Sequence, residues 1–228
     1  MTEGKGRTRI KICGITNLQD ALRATKAGAD YLGFVLYPRS PRFVTLEQAS
    51  AITQAMQREY GESAPLCVGV FVDEEVERVQ AALDRAGLDL AQLHGNEPPS
   101  DVQALLPRAF KAVRPRTRQE AAASLTAYHP VRPGESMLPQ LLLDAFHPQQ
   151  FGGTGLTANW ELAAEIARHA RLLLAGGLTP ETVGLAIAQV RPWGVDVSSG
   201  VERTKGIKDA GRLAAFVQAV RAADAALP

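Results

Sequence analysis

This sequence of 228 residues is poor in cysteine and has no long apolar run. Its two cysteines, Cys13 and Cys67, are too few for a disulfide framework and lie in unrelated apolar segments. No apolar run approaches the roughly 18 residues of a membrane span, and the first residues lack the apolar core of a signal sequence. We therefore expect a cytoplasmic protein with reduced thiols and no membrane partner.

The sequence also lacks an excess of charge of either sign. Its formal net charge is +1, so we expect no nucleic-acid partner, and local groups must hold any anionic ligand. Hydrophobic residues make up 46% and charged residues 21%, which is typical of a folded globular protein. We expect one domain over residues 1–228, with residues 1–8 forming a flexible N-terminus.

Eight short apolar runs alternate with eight amphipathic stretches along the chain. The runs are nearly continuous in Val, Ile and Leu, which is typical of parallel strands buried on both faces. The predicted strands are Arg9–Ile15, Tyr31–Tyr37, Leu66–Val72, Leu90–His94, Ala109–Val113, Gln140–Phe146, Leu172–Ala175 and Gly194–Ser198. The predicted helices are Leu18–Ala27, Leu46–Glu59, Val76–Ala86, Ser100–Leu106, Gln119–Ala127, Trp160–His169, Pro180–Val190 and Ala210–Ala222. The predicted N-caps are Thr45, Ser100 and Asn159, and the predicted C-terminal stops are Gly28, Gly61 and Gly87.

Eight strands alternating with eight helices fit a single-domain (β/α)8 TIM barrel with eight parallel strands. A doubly wound open sheet is the competing architecture, but it usually carries a glycine fingerprint after its first strand. Only Gly14 stands there. In a barrel, catalytic groups come from the C-terminal ends of the strands and the loops after them, so the candidates for a site lie at those positions.

Glycines cluster after predicted strands six, seven and eight. Glycine lets backbone N–H groups approach an anion closely, and the loops after strands seven and eight are the usual phosphate site of this fold. The alternative is that these glycines only form tight turns. The predicted phosphate-binding residues are Gly153, Gly155, Gly176, Gly177, Ser199 and Gly200.

Asp144 ends the apolar run of the sixth strand. A carboxylate there is costly unless it is paired or functional, and burial would favour its protonated form, so we predict a general acid. The alternative is a structural salt bridge to Lys111 on the fifth strand.

Cys13 stands at the end of the first strand, next to Gly14. At that position its thiol would face the site, and activation would need a nearby cation such as Lys11, Arg42 or a cationic form of the substrate. The alternative is a buried apolar cysteine without a chemical role.

Other polar residues leave further chemistry open. His94 ends the fourth strand and suits either catalysis or a structural hydrogen bond. Lys11 and Lys111 would serve a Schiff-base aldolase if one of them lay desolvated inside the barrel. The histidines lack ligand-like spacing to cysteines or carboxylates, so we expect no metal site.

Seven segments at these strand ends resemble the phosphoribosylanthranilate isomerase family, in the same order and over nearly the entire chain. They are Lys11-Ile12-Cys13-Gly14-Ile15-Thr16, Ser40-Pro41-Arg42, Gln92-Leu93-His94-Gly95, Leu143-Asp144-Ala145, Gly152-Gly153-Thr154-Gly155, Ala175-Gly176-Gly177-Leu178 and Gly194-Val195-Asp196-Val197-Ser198-Ser199-Gly200-Val201-Glu202. The resemblance implies an Amadori rearrangement of N-(5'-phosphoribosyl)anthranilate in tryptophan biosynthesis, without cofactor or metal.

The resemblance also implies roles for individual residues. Asp144 matches the family's general acid, which protonates the furanose ring oxygen. Cys13 matches the general base, which removes the C2' proton, and Arg42 matches the arginine that binds the anthranilate carboxylate. The remaining predicted substrate-binding residues are Gln92, His94 and Asp196.

The sequence departs from the family's pattern at Asn159, Thr179 and Lys205-Gly206, where the family often has Asp, Asn and Pro-Gly. The first two departures concern substrate contacts, and the third concerns the shape of the last loop. Two other functions remain open: another phosphate-binding barrel enzyme, such as a sugar-phosphate isomerase or an aldolase, and a non-catalytic barrel that binds a phosphorylated ligand. The sequence does not decide between a monomer and a homodimer.

Overall fold

The structure, a computed structural model, describes residues 7–128, 130–131, 133, 138–144 and 155–227. Eight parallel strands form a closed barrel in which each strand pairs with the next and the last pairs with the first. Helices follow the strands along the chain. The predicted (β/α)8 TIM barrel is therefore confirmed.

All predicted strands and helices are present, and the differences lie at their ends. Residues 145–146 of the predicted sixth strand lie outside the described residues. The barrel strands are β1 (Arg9–Cys13), β2 (Tyr31–Val35), β3 (Leu66–Phe71), β4 (Leu90–Leu93), β5 (Ala109–Val113), β6 (Leu141–Asp144), β7 (Leu172–Ala175) and β8 (Gly194–Val197). The helices are α1 (Leu18–Ala27), α2 (Leu46–Tyr60), α3 (Val76–Ala86), α4 (Pro99–Ala104), α5 (Arg118–Tyr128), α6 (Gly155–Ala167), α7 (Val183–Val190) and α8 (Ala210–Ala226). A short antiparallel hairpin of β9 (Glu202–Thr204) and β10 (Ile207–Lys208) follows β8. None of the helices in these described ranges combines the length and apolar character that crossing a membrane requires.

The helix starts confirm one predicted N-cap and correct two. Thr45 forms a capping box with Gln48 at the start of α2. Helix α4 begins at Pro99, so Ser100 lies inside it, because proline is suited to the first helical position. Helix α6 begins at Gly155, so Asn159 lies in its first turns rather than at its N-cap. Glycines end α1, α2 and α3 as predicted: Gly28, Gly61 and Gly87.

Thr8, the last residue of the expected flexible N-terminus, is buried. Its backbone N–H and its hydroxyl donate to the carboxylate of Asp224 in α8, at 3.2 and 2.5 Å. The packed part of the chain therefore begins before the first strand.

Alternation along the strands decides which side chains point into the barrel, because successive residues of a strand point to opposite sides. Ile10 and Ile12 belong to the apolar cluster between the barrel and its helices. Lys11 and Cys13, which alternate with them, therefore point into the barrel. On β5 the alternation has the opposite phase, because the neighbours of Lys111 belong to the interior cluster, and Lys111 points outward.

Candidate active site

A cavity of about 640 Å³ opens at the C-terminal ends of the barrel strands, where this fold has its catalytic groups. Nine predicted site residues line it: Cys13, Arg42, Gln92, His94, Asp144, Gly176, Gly177, Asp196 and Ser199. Gly200 follows Ser199 in the same loop, and Gly155 is the first residue of α6. Gly153 lies outside the described residues. The structure thus brings most of the predicted residues together around one cavity.

Cys13 is the last residue of β1, and its side chain is buried at the floor of the cavity. Burial raises the pKa of the thiol, and the nearby Lys11 and Lys208 ammonium groups offset this only in part. The Lys208 ammonium also donates to the carbonyl oxygen of Cys13, at 2.6 Å. In this arrangement the neutral thiol is the stable form, and a base would have to be generated by a further positive charge.

Lys11 and Asp196 form a buried ion pair inside the barrel, with 2.8 Å between Nζ and Oδ1. Burial lowers the pKa of Lys11, but Asp196 and Cys13 together outweigh this effect, so the pKa lies above its usual value. Lys11 is therefore a protonated ammonium. A Schiff-base aldolase needs a neutral amine as its nucleophile, so this pairing speaks against that alternative.

Lys111, the other lysine of the aldolase hypothesis, lies on the outer side of the barrel wall. Its ammonium pairs with the buried Glu97 at 3.1 Å and donates to the carbonyl oxygen of Gly95 at 2.8 Å. Glu97 in turn accepts the backbone N–H of Gly95, at 2.9 Å. This network fixes the loop that follows His94, and it replaces the salt bridge between Lys111 and Asp144 that the sequence left open.

Asp144 ends β6 with about a quarter of its side chain exposed to the cavity. One carboxylate oxygen, Oδ2, lies 3.7 Å from Nε2 of His94 and 3.5 Å from Nε of Arg114. Arg114 follows β5, and the sequence analysis did not single it out. The carboxyl group therefore stands between two potential hydrogen-bond donors at the cavity wall.

The ring of His94 is oriented by Gln92, whose amide nitrogen lies 2.6 Å from Nδ1 of the ring. The other ring nitrogen, Nε2, faces the carboxyl group of Asp144. Gln92 and His94 stand two residues apart at the end of β4, so both side chains come from one face of the strand.

Arg42, which lies in the loop after β2, is held by Glu202 at the start of β9. The Nε and Nη2 groups of Arg42 donate to the two carboxylate oxygens, at 2.7 and 2.6 Å. Glu202 is buried and also accepts from the Lys208 ammonium at 3.1 Å. This pairing occupies one edge of the guanidinium, so a ligand would reach Arg42 through its remaining N–H groups.

The loops after β7 and β8 lie side by side at the cavity, because the two strands are neighbours in the barrel. Gly177 adopts a left-handed conformation, with φ of +69°, which favours glycine. Within the residues that the structure describes, the backbone N–H groups of Gly177, Ser199 and Gly200 donate to no protein acceptor. These N–H groups are suited to an anion.

Glu202, Lys208 and Arg114 were not among the predicted site residues. Glu202 stands in a matched motif, but its partner Arg42 is 160 residues away in the chain, so no local spacing signals the pair. The ammonium of Lys208 reaches β1 through a similar long-range contact. The position of Arg114 directly after β5 was a signal that the rule on strand ends provides. Among the described residues, no group of three His, Cys, Asp or Glu side chains is arranged to hold a metal ion.

A closed (β/α)8 barrel with a thiol, a carboxyl group and glycine-rich loops around its catalytic mouth defines a barrel enzyme for a small anionic substrate. Residues 10–219 match the family model of N-(5'phosphoribosyl)anthranilate (PRA) isomerase. The chain belongs to this family, and its members are isomerases.

Known relatives agree with this assignment. The N-(5'-phosphoribosyl)anthranilate isomerase of Roseiflexus castenholzii is 48% identical over 218 residues, which cover 94% of this chain and 98% of the relative. That of Geobacter sulfurreducens is 44% identical over 212 residues, covering 92% and 97%. The crystal structure of phosphoribosyl anthranilate isomerase from Thermotoga maritima superposes with a TM-score of 0.81 at 38% identity, covering 94% of this chain and 99% of the other. A further solved isomerase, in complex with reduced 1-(o-carboxyphenylamino)-1-deoxyribulose 5-phosphate, gives 0.78 at 36% identity, covering 94% and 99%.

Proposed function

We propose that this chain converts N-(5'-phosphoribosyl)anthranilate into 1-(2-carboxyphenylamino)-1-deoxyribulose 5-phosphate, a step of tryptophan biosynthesis. The observation that carries the proposal is that Cys13 from β1 and Asp144 from β6 line one cavity, beside the glycine-rich loops after β7 and β8. A non-catalytic phosphate-binding barrel would need neither the thiol nor the carboxyl group.

Asp144 acts first, as the general acid. Its carboxyl group donates a proton to the furanose ring oxygen, the bond from that oxygen to C1' breaks, and a protonated Schiff base forms between C1' and the anthranilate nitrogen. His94 and Arg114 then stabilise the carboxylate that remains, since both lie within 3.7 Å of its Oδ2.

Cys13 acts second, as the general base. The cationic Schiff base acidifies the neighbouring C2' proton and also favours the thiolate over the thiol. The thiol releases its own proton to the solvent of the open cavity, and the thiolate then takes the C2' proton to give an enolamine, which tautomerises to the ketone. The order of events fits a buried cysteine whose pKa is raised by burial, because the positive charge that favours the thiolate arises only after ring opening.

Two sets of groups that line the cavity orient the substrate. The N–H groups of Gly177, Ser199 and Gly200 hold the phosphate, together with those of Gly176 after β7 and of Gly153 and Gly155 after β6. Arg42 holds the anthranilate carboxylate with the N–H groups that Glu202 leaves available. Gln92, His94 and Asp196 contact the sugar between these two anchors.

The direct test is to mix the purified protein with phosphoribosylanthranilate and follow the loss of anthranilate-type fluorescence. Turnover that is absent from the Cys13→Ser variant supports the proposal, and no turnover by the folded wild-type protein contradicts it. Borohydride treatment with substrate tests the aldolase alternative. A reduced adduct on Lys11 would support an aldolase, whereas we expect none because Lys11 is paired with Asp196.

We predict that Arg42→Ala raises KM about tenfold or more, whereas Arg39→Ala leaves KM nearly unchanged. The loss corresponds to a charge-assisted hydrogen bond of roughly 1.5–3 kcal/mol. Arg39 is the matched control because it is an exposed arginine of the same loop. Steady-state kinetics give KM, and urea denaturation shows how far the loss of the pair between Arg42 and Glu202 destabilises the fold. Equal changes in KM at both positions would remove the role of Arg42 in carboxylate binding.

We predict that Gly177→Val raises KM at least about tenfold, because the side chain would occupy the position of the phosphate. The left-handed backbone also strains valine, so a control for strain is needed. Gly61→Val supplies it, since Gly61 has φ of +54° and open space around its Cβ position, and lies far along the chain from the site loops. If Gly61→Val weakens substrate binding equally, the effect of Gly177→Val comes from strain and not from phosphate contact.

We further propose that residues 1–228 form one domain that works in the cytoplasm as a monomer or homodimer on a small phosphorylated substrate. The barrel closes where β8 pairs with β1, and α8 packs against both α1 and α7. This continuous packing supports a single domain. Cys13 and Cys67 are free thiols, which suits a reducing compartment. One solved structure is of monomers generated from the dimeric isomerase of Thermotoga maritima, so that relative is a dimer from which monomers can be made. Sedimentation of the purified chain distinguishes them.

A further inference from the structure

Cys13, Lys11 and Asp196 meet inside the barrel, beside a glycine on β2. A Cβ atom built on Gly33 would lie 2.8 Å from the sulfur of Cys13 and 3.1 Å from Nζ of Lys11. Gly33 pairs with Cys13 in the strand register, and Lys11 pairs with Asp196. Glycine at position 33 thus leaves room for the thiol and the ammonium to occupy neighbouring space.

We propose that Lys11 is a positioning residue that stabilises the thiolate of Cys13, and that Asp196 restrains this effect by neutralising the ammonium. The inference rests on the proposed role of Cys13 as the general base. The inference adds that a buried ion pair between two strand residues controls the reactivity of the Cys13 thiol.

The other two cations near Cys13, Lys208 and Arg42, share one carboxylate, that of Glu202. From β10, Lys208 reaches the carbonyl oxygen of Cys13, and its ammonium is paired with Glu202. From the loop after β2, Arg42 is paired with the same carboxylate. Lys11 differs from both, because Asp196 is its sole partner among the ion pairs that the described residues form.

Burial makes this balance effective. Lys11 is fully buried and Cys13 nearly so, and charges interact more strongly where water is excluded. Burial raises the pKa of the thiol, Lys11 lowers it, and Asp196 raises it again. Removing the ammonium and removing the carboxylate should therefore change the thiolate fraction in opposite directions.

The test measures the rate at which iodoacetamide alkylates Cys13 in the full chain, without substrate, with the modified site identified by mass spectrometry. Below the pKa of the thiol this rate follows the thiolate fraction, and a tenfold change corresponds to about one pKa unit. We expect Lys11→Met to slow alkylation about tenfold or more. We expect Asp196→Asn to accelerate it several-fold, because Lys11 is then unopposed.

Two further variants keep the test decisive. Lys11→Met leaves a buried carboxylate without its partner, so Lys11→Met combined with Asp196→Asn provides an uncharged pair. Adding Lys11→Met to Asp196→Asn should again slow alkylation about tenfold. Lys111→Met is the matched control, since Lys111 is also a buried strand lysine paired with a carboxylate but points out of the barrel, and its alkylation rate should equal that of the wild type.

The proposal is wrong if Asp196→Asn does not accelerate alkylation, or if Lys11→Met slows it in neither background. It is also wrong if both single variants accelerate alkylation, because the pair would then only close the site. Since the measurement needs no substrate, it is independent of the proposed reaction. Suppose that alkylation follows the expected pattern but the Cys13→Ser variant turns over normally. The role of Cys13 as the base is then refuted, while the coupling of Lys11 to Cys13 stands.

Discussion

Replacement of Cys13 with serine is expected to lower kcat at least about 1,000-fold, within the range for the loss of a general base. A serine hydroxyl is far too weak an acid to supply a base at neutral pH, even beside Lys11. The free energy of unfolding should change little, because the smaller hydroxyl fits the space of the sulfur and can accept a hydrogen bond from the ammonium. Steady-state kinetics and urea denaturation measure the two effects.

Cys67→Ser is the matched control, and its effects should be reversed. Cys67 is buried near the start of β3, away from the catalytic mouth, and burial raises the pKa of its thiol to about 12. A hydroxyl in that apolar setting should lower the free energy of unfolding by roughly 1–3 kcal/mol and leave kcat unchanged.

Chemical labelling gives a second readout of the same contrast. Iodoacetamide should modify Cys13 in preference to Cys67, and bound product should protect it. Labelling that goes to Cys67, or normal turnover by Cys13→Ser, would assign the base to another group. His94 would then be the next candidate, because it lines the same cavity and faces Asp144.

The barrel and the position of its site follow from the sequence because both depend on local order. Apolar runs alternate with amphipathic helices, and the strand ends of a barrel meet at one face wherever they stand in the chain. Cys13, His94 and Asp144 were placed together for this reason, and the cavity confirms that they are close. Each strand of the barrel pairs with the next strand in the chain, so the order of the strands follows from their order in the sequence.

The pairing of charges did not follow from the sequence, because it depends on how distant segments meet. Lys11 finds Asp196 only when β1 closes on β8, and Arg42 finds Glu202 across 160 residues. From the sequence, Lys11 and Lys111 were equal candidates for a desolvated lysine inside the barrel. In a strand that is buried on both faces, apolar neighbours do not reveal which side of the wall a residue faces.

The starts of α4 and α6 were misplaced for a different reason. Ser100 and Asn159 are good N-cap residues, but the helix start depends on the backbone as well as on the cap. Pro99 takes the first helical position of α4, and α6 extends back to Gly155. Helix ends are set by small differences of this kind, which residue preferences alone do not resolve.

Replacement of Asp144 with asparagine is expected to lower kcat about 100-fold or more, within the range for the loss of a general acid. The amide has nearly the same size and still forms hydrogen bonds beside His94 and Arg114, so the fold should persist. What the amide lacks is a proton acidic enough to open the furanose ring. Steady-state kinetics give kcat, and the unfolding transition shows that the variant is native.

Asp73→Asn is the control that separates proton donation from a change of charge. Asp73 is another carboxylate that lines the cavity, and its Oδ1 accepts the backbone N–H of Asn96, a contact that an asparagine oxygen can keep. Both substitutions replace a carboxyl group of the same mouth with an amide, but only Asp144→Asn removes the proposed acid. We therefore expect the loss in kcat for Asp73→Asn to be at least about tenfold smaller, since a charge at the cavity edge changes binding more than proton transfer. Equal losses would mean that the charge of the cavity matters and not the proton of Asp144, and near wild-type activity of Asp144→Asn would remove Asp144 from the mechanism.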